Sequence, residues 1–300
     1  MRIRQPGKIC DHLWFLGCEN SCVYLLEGDK ESMIISGGMG CIVPDLLQQM
    51  KEFGTDETRI TKLLILHSHF DHVGIIPFLK RRNKALVLYG SARAWEILHK
   101  PKAIDTINNF SREVANQVGR EGVYAAYDLE WRESLSGAIV SEGDIIDLGG
   151  MEGHVYETPG HSSCSISFYI PHLKALFASD GAGIPYKDTI VISANSNFTK
   201  YQESLEKLKE LDVEYLCADH YGYISGKESR DFIRQCIETA KDYRSLLEDV
   251  YLREGDIESA AKKMLEAFLA ENEDYFLSSN IMEGVYRQTF RHIAGVMEKH

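Results

Sequence analysis

Short apolar runs alternate with amphipathic stretches along the first half of the chain. CVYLLEG (22–28) and SMIISGG (32–38) have the composition of paired β-strands, and residues 45–53 carry the spacing of a helix that Gly54 ends. KLLIL (62–66) is apolar without interruption, which is typical of a strand buried on both faces. Helical and strand-like segments continue to alternate up to about residue 100. This order predicts an α/β fold with a central buried strand.

A second block that is rich in strand-like runs begins near residue 138. Its apolar runs, separated by Gly, Pro and Asp turns, are AIV (138–140), DIIDL (144–148), GHVYETPG (153–160), SISFYI (165–170) and KALFAS (174–179). An amphipathic helix, YQESLEKLKEL, and a last strand, EYLCADH, follow this block. The sequence therefore predicts two similar β-rich halves, each covered by helices.

Two further segments have helical spacing without strands. Residues 101–134 interrupt the alternation and are predicted to be a helical insertion. Residues 226–300 contain three helical segments, so we divide the chain into a core domain of residues 1–225 and a C-terminal helical cap of residues 226–300. The cap is interpreted either as a packed extension that buries its apolar stripes or as a lid that shapes a substrate pocket. We favour a packed extension that also serves as a lid.

The composition narrows the classes of function. Of the 300 residues, 44% are hydrophobic and 26% are charged, and the net charge is −12. The negative charge repels phosphate backbones, so we expect no nucleic-acid partner. No apolar run approaches the length of a membrane span, and the first residues do not resemble a signal peptide. We therefore expect a cytoplasmic protein with no membrane partner.

Three histidines and an aspartate lie directly after the KLLIL run, in the sequence HSHFDH. On an extended chain, residues i and i+2 share a face, so His67 and His69 can reach one point. If the chain then turns into a helix, Asp71 and His72 aim at a second point nearby. Imidazole and carboxylate bind zinc, iron and manganese, and burying them unpaired would be costly. The cluster therefore predicts a metal site where the buried strand ends.

Three later residues have the same local setting. His161 in ETPGHSSCS, Asp180 in ALFASDGAG and His220 in YLCADHYG each follow a strand-like run and stand beside Gly or small residues. A metal centre needs more ligands than one short motif supplies. We interpret these three residues as the remaining ligands.

Taken in order, HSHFDH, PGHS, SDG and the late DH resemble the HxHxDH…H…D…H pattern of the metallo-β-lactamase superfamily, over about residues 10–225. The resemblance implies a four-layer αββα sandwich with the metals at one edge of its two sheets, here followed by a C-terminal helical extension. It also implies two metal ions, held by His67, His69 and His161 at the first, by Asp71, His72 and His220 at the second, and by Asp180 as the bridge.

Within that superfamily, the chain is most similar to the quinolone-signal response, thioesterase-like branch. HSHFDHVGIIPFL, the insertion at 101–134 and the helical C-terminus match the layout of that branch. Glyoxalase II-like and lactonase-like hydrolases resemble it more distantly. Two positions depart from the family pattern. Ser36 stands where the family often has an Asp that supports the metal ligands, and Asp219 stands where a Gly is frequent.

The ligand set predicts a hydrolytic mechanism. Two divalent transition metal ions (zinc, iron or manganese) that share a hydroxide lower the pKa of the bound water and polarise the bond under attack. The expected nucleophile is therefore a metal-bridging hydroxide, with Asp71 and Asp180 as catalytic groups in proton transfer. The GxSxG motif of serine hydrolases is absent. We expect a small or medium thioester, ester or lactone as the substrate.

The loop GIPYKDTIVISANSNF (183–198) is the predicted substrate-binding segment. It carries Tyr186, Asn195 and Phe198, and Tyr221 follows the last ligand. This mix of aromatic and amide side chains suits a partly apolar small molecule. We expect these four residues to contact the substrate.

Two alternatives to a hydrolase stay open. The first is a regulatory or binding protein that keeps its metals but has little turnover. The second is an enzyme similar to the persulfide dioxygenases of the superfamily, which use a single iron at the first group of three ligands. Independently of the function, the apolar C-terminal helices are a candidate homodimer interface.

Overall fold

Two β-sheets lie face to face at the centre of the protein. The computed structural model describes residues 1–133 and 135–298. Within those residues the strands are, in chain order, β1 (Arg2–Ile3), β2 (Gly7–Cys10), β3 (Leu13–Cys18), β4 (Ser21–Glu27), β5 (Ser32–Ile35), β6 (Ile60–Leu64), β7 (Val87–Gly90), β8 (Ala138–Ile139), β9 (Ile145–Asp147), β10 (Glu152–Glu157), β11 (Ile166–Ile170), β12 (Ala175–Phe177), β13 (Tyr215–Cys217) and β14 (Tyr223–Ser225). The first sheet has the order β2-β3-β4-β5-β6-β7-β8, and the second sheet has the order β1-β14-β13-β12-β11-β10-β9.

Helices cover the outer faces of both sheets. In the same described ranges they are α1 (Val43–Glu52), α2 (Ile76–Arg82), α3 (Ala92–Leu98), α4 (Pro101–Gln117), α5 (Gly122–Ala126), α6 (Phe198–Leu208), α7 (Lys227–Glu254), α8 (Ile257–Glu271) and α9 (Ser279–Met297). α1 packs on β3 and α7 packs on β14. The layers are therefore helix, sheet, sheet and helix, which confirms the predicted αββα sandwich with a C-terminal helical extension. None of these described helices combines the length and the apolarity that crossing a membrane requires.

Alternation along the strands separates two apolar cores. In β5, Met33 and Ile35 point into the core between the sheets, whereas Ile34 points toward the helices. Tyr24 and Phe177 meet across the gap between the sheets, with their ring centroids 5.3 Å apart. Residues 33–35 of β5 and residues 63–66, at the end of β6 and just after it, are buried on both faces, so they appear in the sequence as continuous apolar runs.

The first and last strands differ from the sequence-based prediction. β1 pairs with β14 in antiparallel register, with Arg2 opposite Ile224, so the N-terminus of the chain completes the second sheet. The two halves are therefore interleaved rather than consecutive. β1, β2 and β14 have between two and four residues each, which is too short to give a period-two signal.

The insertion and the C-terminal helices both lie near the end of β6. α4 packs against the turn Phe70–His72, with the rings of Phe110 and Phe70 at 5.6 Å between centroids. The indole of Trp131 donates a hydrogen bond to the carbonyl of Val73 over 3.0 Å. α7, α8 and α9 pack on one another and reach α6. Two predicted ends lie outside the described residues. They are residue 134, at the end of the insertion, and residues 299 and 300, at the end of the cap.

Candidate metal centre

The HSHFDH motif forms a turn at the end of β6. His67 follows the strand and is fully buried, and His69 keeps an extended backbone, with φ −69° and ψ 153°. One turn of 3-10 helix, Phe70–His72, then redirects the chain into α2. This change of direction places His67 and His69 in one group of converging side chains and Asp71 and His72 in another.

Close backbone packing fixes this turn against the chain that follows β5. The N–H of Gly37 donates to the carbonyl of His72 over 2.8 Å, and the N–H of Gly74 donates to the carbonyl of Gly38 over 2.7 Å. A Cβ atom at position 74 would lie 2.1 Å from the backbone nitrogen of Gly40. The turn can therefore approach this closely only because residue 74 is a glycine.

The second sheet supplies the other predicted ligands. His161 follows β10, Asp180 lies in the 3-10 turn Ser179–Ala182 after β12, and His220 follows β13. All three side chains are buried. The structure thus brings the ligands predicted from the sequence together at one edge shared by the two sheets.

The first group joins His67, His69 and His161. Nε2 of His161 lies 3.2 Å from Nε2 of His67 and 2.9 Å from Nδ1 of His69. Nδ1 of His161 donates to the carbonyl of Ser193 over 2.7 Å, which leaves Nε2 with a lone pair. Ligands around a tetrahedral zinc ion, each about 2.1 Å from it, lie roughly 3.4 Å apart. These two distances are therefore close to the spacing of ligands around one cation, and the three nitrogens all lie within 4.8 Å of one another.

The second group joins Asp71, His72 and His220. Nε2 of His220 lies 3.2 Å from Nε2 of His72, and Oδ2 of Asp71 lies 3.6 Å from each of these nitrogens. Nδ1 of His220 donates to the carbonyl of Asn20 over 2.7 Å. This hydrogen bond fixes the ring so that Nε2 faces the group.

Asp180 lies between the two groups. Its Oδ2 is 3.3 Å from Nε2 of His72 and 3.4 Å from Nε2 of His161. Its Oδ1 is 3.7 Å from Nε2 of His220. One carboxylate is therefore within reach of both groups, which is the position that a bridging ligand requires.

The protonation states suit metal binding. Burial, reinforced by neighbouring histidines, lowers the pKa of His67 and His69 well below the usual range. Burial also opposes a charge on His72, but the carboxylates of Asp71 and Asp180 outweigh it and raise the pKa of His72. Burial alone would raise the pKa of Asp180, yet the adjacent histidines lower it. The site therefore combines neutral rings, an ionised carboxylate and a place where positive charge is favoured.

A buried carboxylate supports His72 from behind. Oδ2 of Asp219 accepts hydrogen bonds from Nδ1 of His72 over 2.7 Å, from the hydroxyl of Ser36 over 2.8 Å and from the hydroxyl of Ser179. Asp219 is 2% exposed. The two positions at which the sequence departs from the family pattern, 36 and 219, are thus in direct contact. Sequence reasoning noted both departures but gave no sign that they meet.

A cavity of about 1170 Å³ lies beside the cluster. His69, Asp71, His161 and Asp180 form part of its wall. α4, the chain between residues 184 and 196, and the helices α7, α8 and α9 form much of the rest. The C-terminal helices therefore shape the cavity next to the predicted metal ligands, as expected for a lid.

Of the four predicted substrate residues, Asn195 lines this cavity and the other three do not. Phe198 begins α6 and is fully buried in the core. Tyr186 and Tyr221 pack on each other, with ring centroids 4.9 Å apart, and the hydroxyl of Tyr186 donates to Asp274 over 2.7 Å. The expectation for these three residues came from their loop positions, and their tertiary packing turns them away from the cavity.

An aromatic pair that sequence reasoning missed lies over the second group. Phe276, between α8 and α9, has its ring centroid 4.4 Å from that of His220. Tyr275 packs beside Phe276 at 5.0 Å, and both residues line the cavity. The signal in the sequence was the aromatic pair in DYFLSS, but nothing there linked it to a ligand so much earlier in the chain.

Comparison with known proteins decides the family. The family model described as the metallo-beta-lactamase superfamily matches residues 16–220. The chain belongs to the metallo-beta-lactamase superfamily. The matched region runs up to the last predicted ligand, His220. Within the superfamily, a metallo-beta-lactamase fold-containing protein of Sulfurisphaera tokodaii is 24% identical over 222 residues, which cover 73% of this chain and 79% of that protein.

Two further comparisons concern a relative in sequence and a solved structure. A hydroxyacylglutathione hydrolase of Rhodopseudomonas palustris is 27% identical over 170 residues, which cover 54% of this chain and about half, 49%, of that relative. The structure of a metallo-beta-lactamase family protein from Thermus thermophilus has a TM-score of 0.68 at 17% identity, covering 97% of this chain and 95% of that one, which shows the shared fold.

Family membership and the histidine–aspartate cluster together favour a metal-dependent hydrolase. The narrower likeness to the quinolone-signal response branch stays a prediction.

Proposed function

We propose that this protein hydrolyses a thioester, ester or lactone with the help of two divalent metal ions. The observation that carries the proposal is the convergence of three ring nitrogens: Nε2 of His161 lies 3.2 Å from Nε2 of His67 and 2.9 Å from Nδ1 of His69, and all three lie within 4.8 Å of one another. Buried ring nitrogens that face one another with lone pairs repel unless a proton or a metal ion lies between them. A metal ion satisfies all three nitrogens at once.

The residues present fit two ions. The proposed ligands are His67, His69 and His161 for the first ion, Asp71, His72 and His220 for the second, and Asp180 for both. When bound, such ions would activate water as the nucleophile near neutral pH and would polarise the bond under attack. Zinc, iron and manganese all accept this combination of ligands.

The protein's own carboxylates are assigned to proton transfer. Asp71 and Asp180 are the acidic ligands that line the cavity, so a substrate held there meets them directly. A carboxylate that uses one oxygen as a ligand keeps its second oxygen free to accept a proton. Asp71 and Asp180 are therefore the proposed catalytic groups beside the metal-activated water.

A thioester is the first substrate class to try. Relatives that share part of this chain are named hydroxyacylglutathione hydrolases, and a hydroxyacylglutathione is a thioester. The screen should therefore include such a thioester, simple carboxylic esters and lactones under the same conditions. Each rate is compared before and after the protein is treated with a chelator and reloaded with zinc, iron or manganese.

The metal content tests the proposal directly. Elemental analysis of the freshly purified, untagged chain is expected to give close to two transition metal ions per chain. His69→Ala removes one nitrogen from the first group and is expected to lower both the metal content and the hydrolytic rate. His172→Ala is the matched control, because His172 is exposed on a turn outside the cluster and should leave both values unchanged.

Three outcomes would contradict the proposal in different ways. A single tightly held iron with no hydrolysis would favour a persulfide dioxygenase-like enzyme. Two ions per chain with no turnover on any substrate of the screen would favour a regulatory or binding protein. A metal content unchanged by His69→Ala would refute the assignment of the first group.

A further inference from the structure

We propose that the cavity beside the metal cluster selects esters, thioesters or lactones that carry an extended apolar group, alkyl or aryl, next to the bond that is cleaved. The inference rests on the proposed hydrolase function for the position of that bond. It describes the rest of the substrate, because the proposed metal ligands define only where the carbonyl group binds.

The part of the cavity beside the cluster is polar. His69, Asp71 and His161 form its wall there, together with Ser193 and Asn195. These groups would surround the carbonyl carbon and the oxygens that change during hydrolysis. The scissile bond of a bound substrate therefore belongs at this end.

Much of the remaining wall is apolar and is built from several elements. Phe110 of α4, Ile192, Met264 and Phe268 of α8, and Ile281 of α9 all contribute to it. Ile192, Met264 and Ile281 are otherwise buried, each exposed by 7% or less. Binding becomes more favourable when an apolar group displaces water from side chains that line a cavity in this way. This part of the wall thus favours an alkyl or aryl group.

Charged side chains in the wall are few and lie toward solvent. Apart from the cluster, the described lining residues that carry a charge are Lys100, Lys102, Glu271 and Arg287, and all four are at least partly exposed. Burial raises the pKa of Tyr243 to about 12, so this lining residue stays uncharged. A charged group placed against the buried apolar residues would therefore be costly.

The size of the cavity agrees with an extended group. Its volume of about 1170 Å³ exceeds the range of roughly 300–1,000 Å³ that is usual for small-molecule pockets. A short acyl group would leave most of the apolar wall in contact with water. A longer group would bury more of that wall with each added methylene.

A chain-length series measures this preference. The metal-loaded protein is assayed with para-nitrophenyl acetate, butyrate, hexanoate, octanoate and decanoate, and with lactones whose alkyl side chain is lengthened in the same way. We expect kcat/KM to rise by about two- to fourfold for each methylene that enters the apolar wall. A series that is flat, or that falls from acetate onward in both substrate classes, would overturn the inference.

A matched pair of variants locates the preference in this cavity. Phe268 packs against Tyr275, with ring centroids 5.0 Å apart, at the cavity wall. Phe268→Ala is expected to lower kcat/KM for the octanoate ester about tenfold more than for the acetate ester. Phe53 has a similar partial exposure but stacks on Trp14 outside the cavity, so Phe53→Ala should leave the chain-length dependence unchanged. An equal effect of both variants would place the preference elsewhere.

Binding of the product acids separates this inference from the proposed function. Acetate, hexanoate and decanoate are titrated into the metal-loaded protein by calorimetry. If no ester is hydrolysed but affinity still rises with chain length and falls in Phe268→Ala, the hydrolase proposal fails and the apolar ligand class stands. If esters are hydrolysed without any chain-length dependence in rate or affinity, the hydrolase proposal stands and the apolar ligand class fails.

Discussion

At the scale of single residues, the orientation of His72 depends on Asp219. The carboxylate accepts the Nδ1 hydrogen of His72 over 2.7 Å, so Nε2 faces Asp71, Asp180 and His220. Ser36 donates to the same carboxylate oxygen over 2.8 Å. A carboxylate behind a metal-binding histidine fixes the ring and makes it a stronger ligand. Asp219 therefore acts on the proposed metal site through His72.

Replacing Asp219 tests this positioning role. Asp219→Asn keeps the size of the side chain but removes its charge, and we expect metal affinity to fall by about 10- to 100-fold. Affinity is measured by competition with a chelator of known strength, so the result does not depend on activity. Asp212→Asn is the control, because Asp212 is exposed and pairs with Lys174 at the surface. Equal affinities for both variants would show that Asp219 has no such role.

Exchanging the two side chains asks whether the carboxylate can act from position 36. Ser36 has a φ of +68°, a conformation that Asp adopts more readily than most residues. In the double variant Ser36→Asp, Asp219→Ser, the carboxylate and the hydroxyl of this hydrogen bond exchange positions. We expect it to bind metal more tightly than Asp219→Ser alone, by about tenfold. A double variant as weak as the single one would mean that only position 219 can support His72.

The cluster of proposed ligands could be predicted from the sequence, whereas the residues that support it could not. His67, His69, Asp71 and His72 lie within one motif, and each later ligand follows an apolar run, so local spacing was informative. Asp219 supports His72 through a contact between segments far apart in the chain, and no local pattern shows such a contact. Tyr186, Phe198 and Tyr221 do not line the cavity for the same reason, since burial is decided by tertiary packing. Their contact with a substrate stays a prediction.

At the scale of elements, the ligand turn depends on a close approach between two pieces of backbone. Gly74→Ala would place a Cβ 2.1 Å from the backbone nitrogen of Gly40, and backbone atoms cannot move aside as a flexible side chain can. We expect the free energy of unfolding to fall by about 1–3 kcal/mol and metal content to fall with it. Denaturant unfolding and elemental analysis measure the two effects.

A glycine in an open setting is the control for that substitution. Gly295 lies within α9, and a Cβ added there meets no atom within 4 Å. Gly295→Ala is expected to raise the free energy of unfolding by about 0.5–1 kcal/mol, because alanine favours the helix. If both variants changed stability in the same direction and to the same extent, the close approach at Gly74 would not be the cause.

The length and the burial of an element decided whether the sequence could predict it. The run that overlaps β6 is apolar without interruption, and the amphipathic helices α6 to α9 carry strong periodic signals over many residues. β1 and β14 have only two and three residues. β14 pairs with both β1 and the nearby β13, whereas β1 pairs only with β14 among the described strands. The stability of β1 therefore comes from a partner distant in sequence, which local composition could not reveal.

At the scale of the whole molecule, the proposed ligands join the two sheets. The motif after β6 belongs to the first sheet, whereas His161, Asp180 and His220 follow strands of the second. Bound ions would therefore link the two halves of the sandwich at one edge. Without them, buried carboxylates and ring nitrogens face one another with only a proton to compensate their charge, so the apo form is expected to be less stable.

Removing the metals should therefore lower the stability of the entire fold. At a free ion concentration of about 100 times Kd, each ion bound to the folded state contributes about 2.7 kcal/mol, which corresponds to a Tm shift of roughly 4 °C per ion in a chain of 300 residues. Calorimetry of the chain before chelation, after chelation and after reloading measures this shift. His172→Ala should show the full shift, whereas His69→Ala should show a smaller one. A Tm that does not respond to chelation, in a chain shown by elemental analysis to have lost its ions, would mean that the ligands do not link the two sheets energetically.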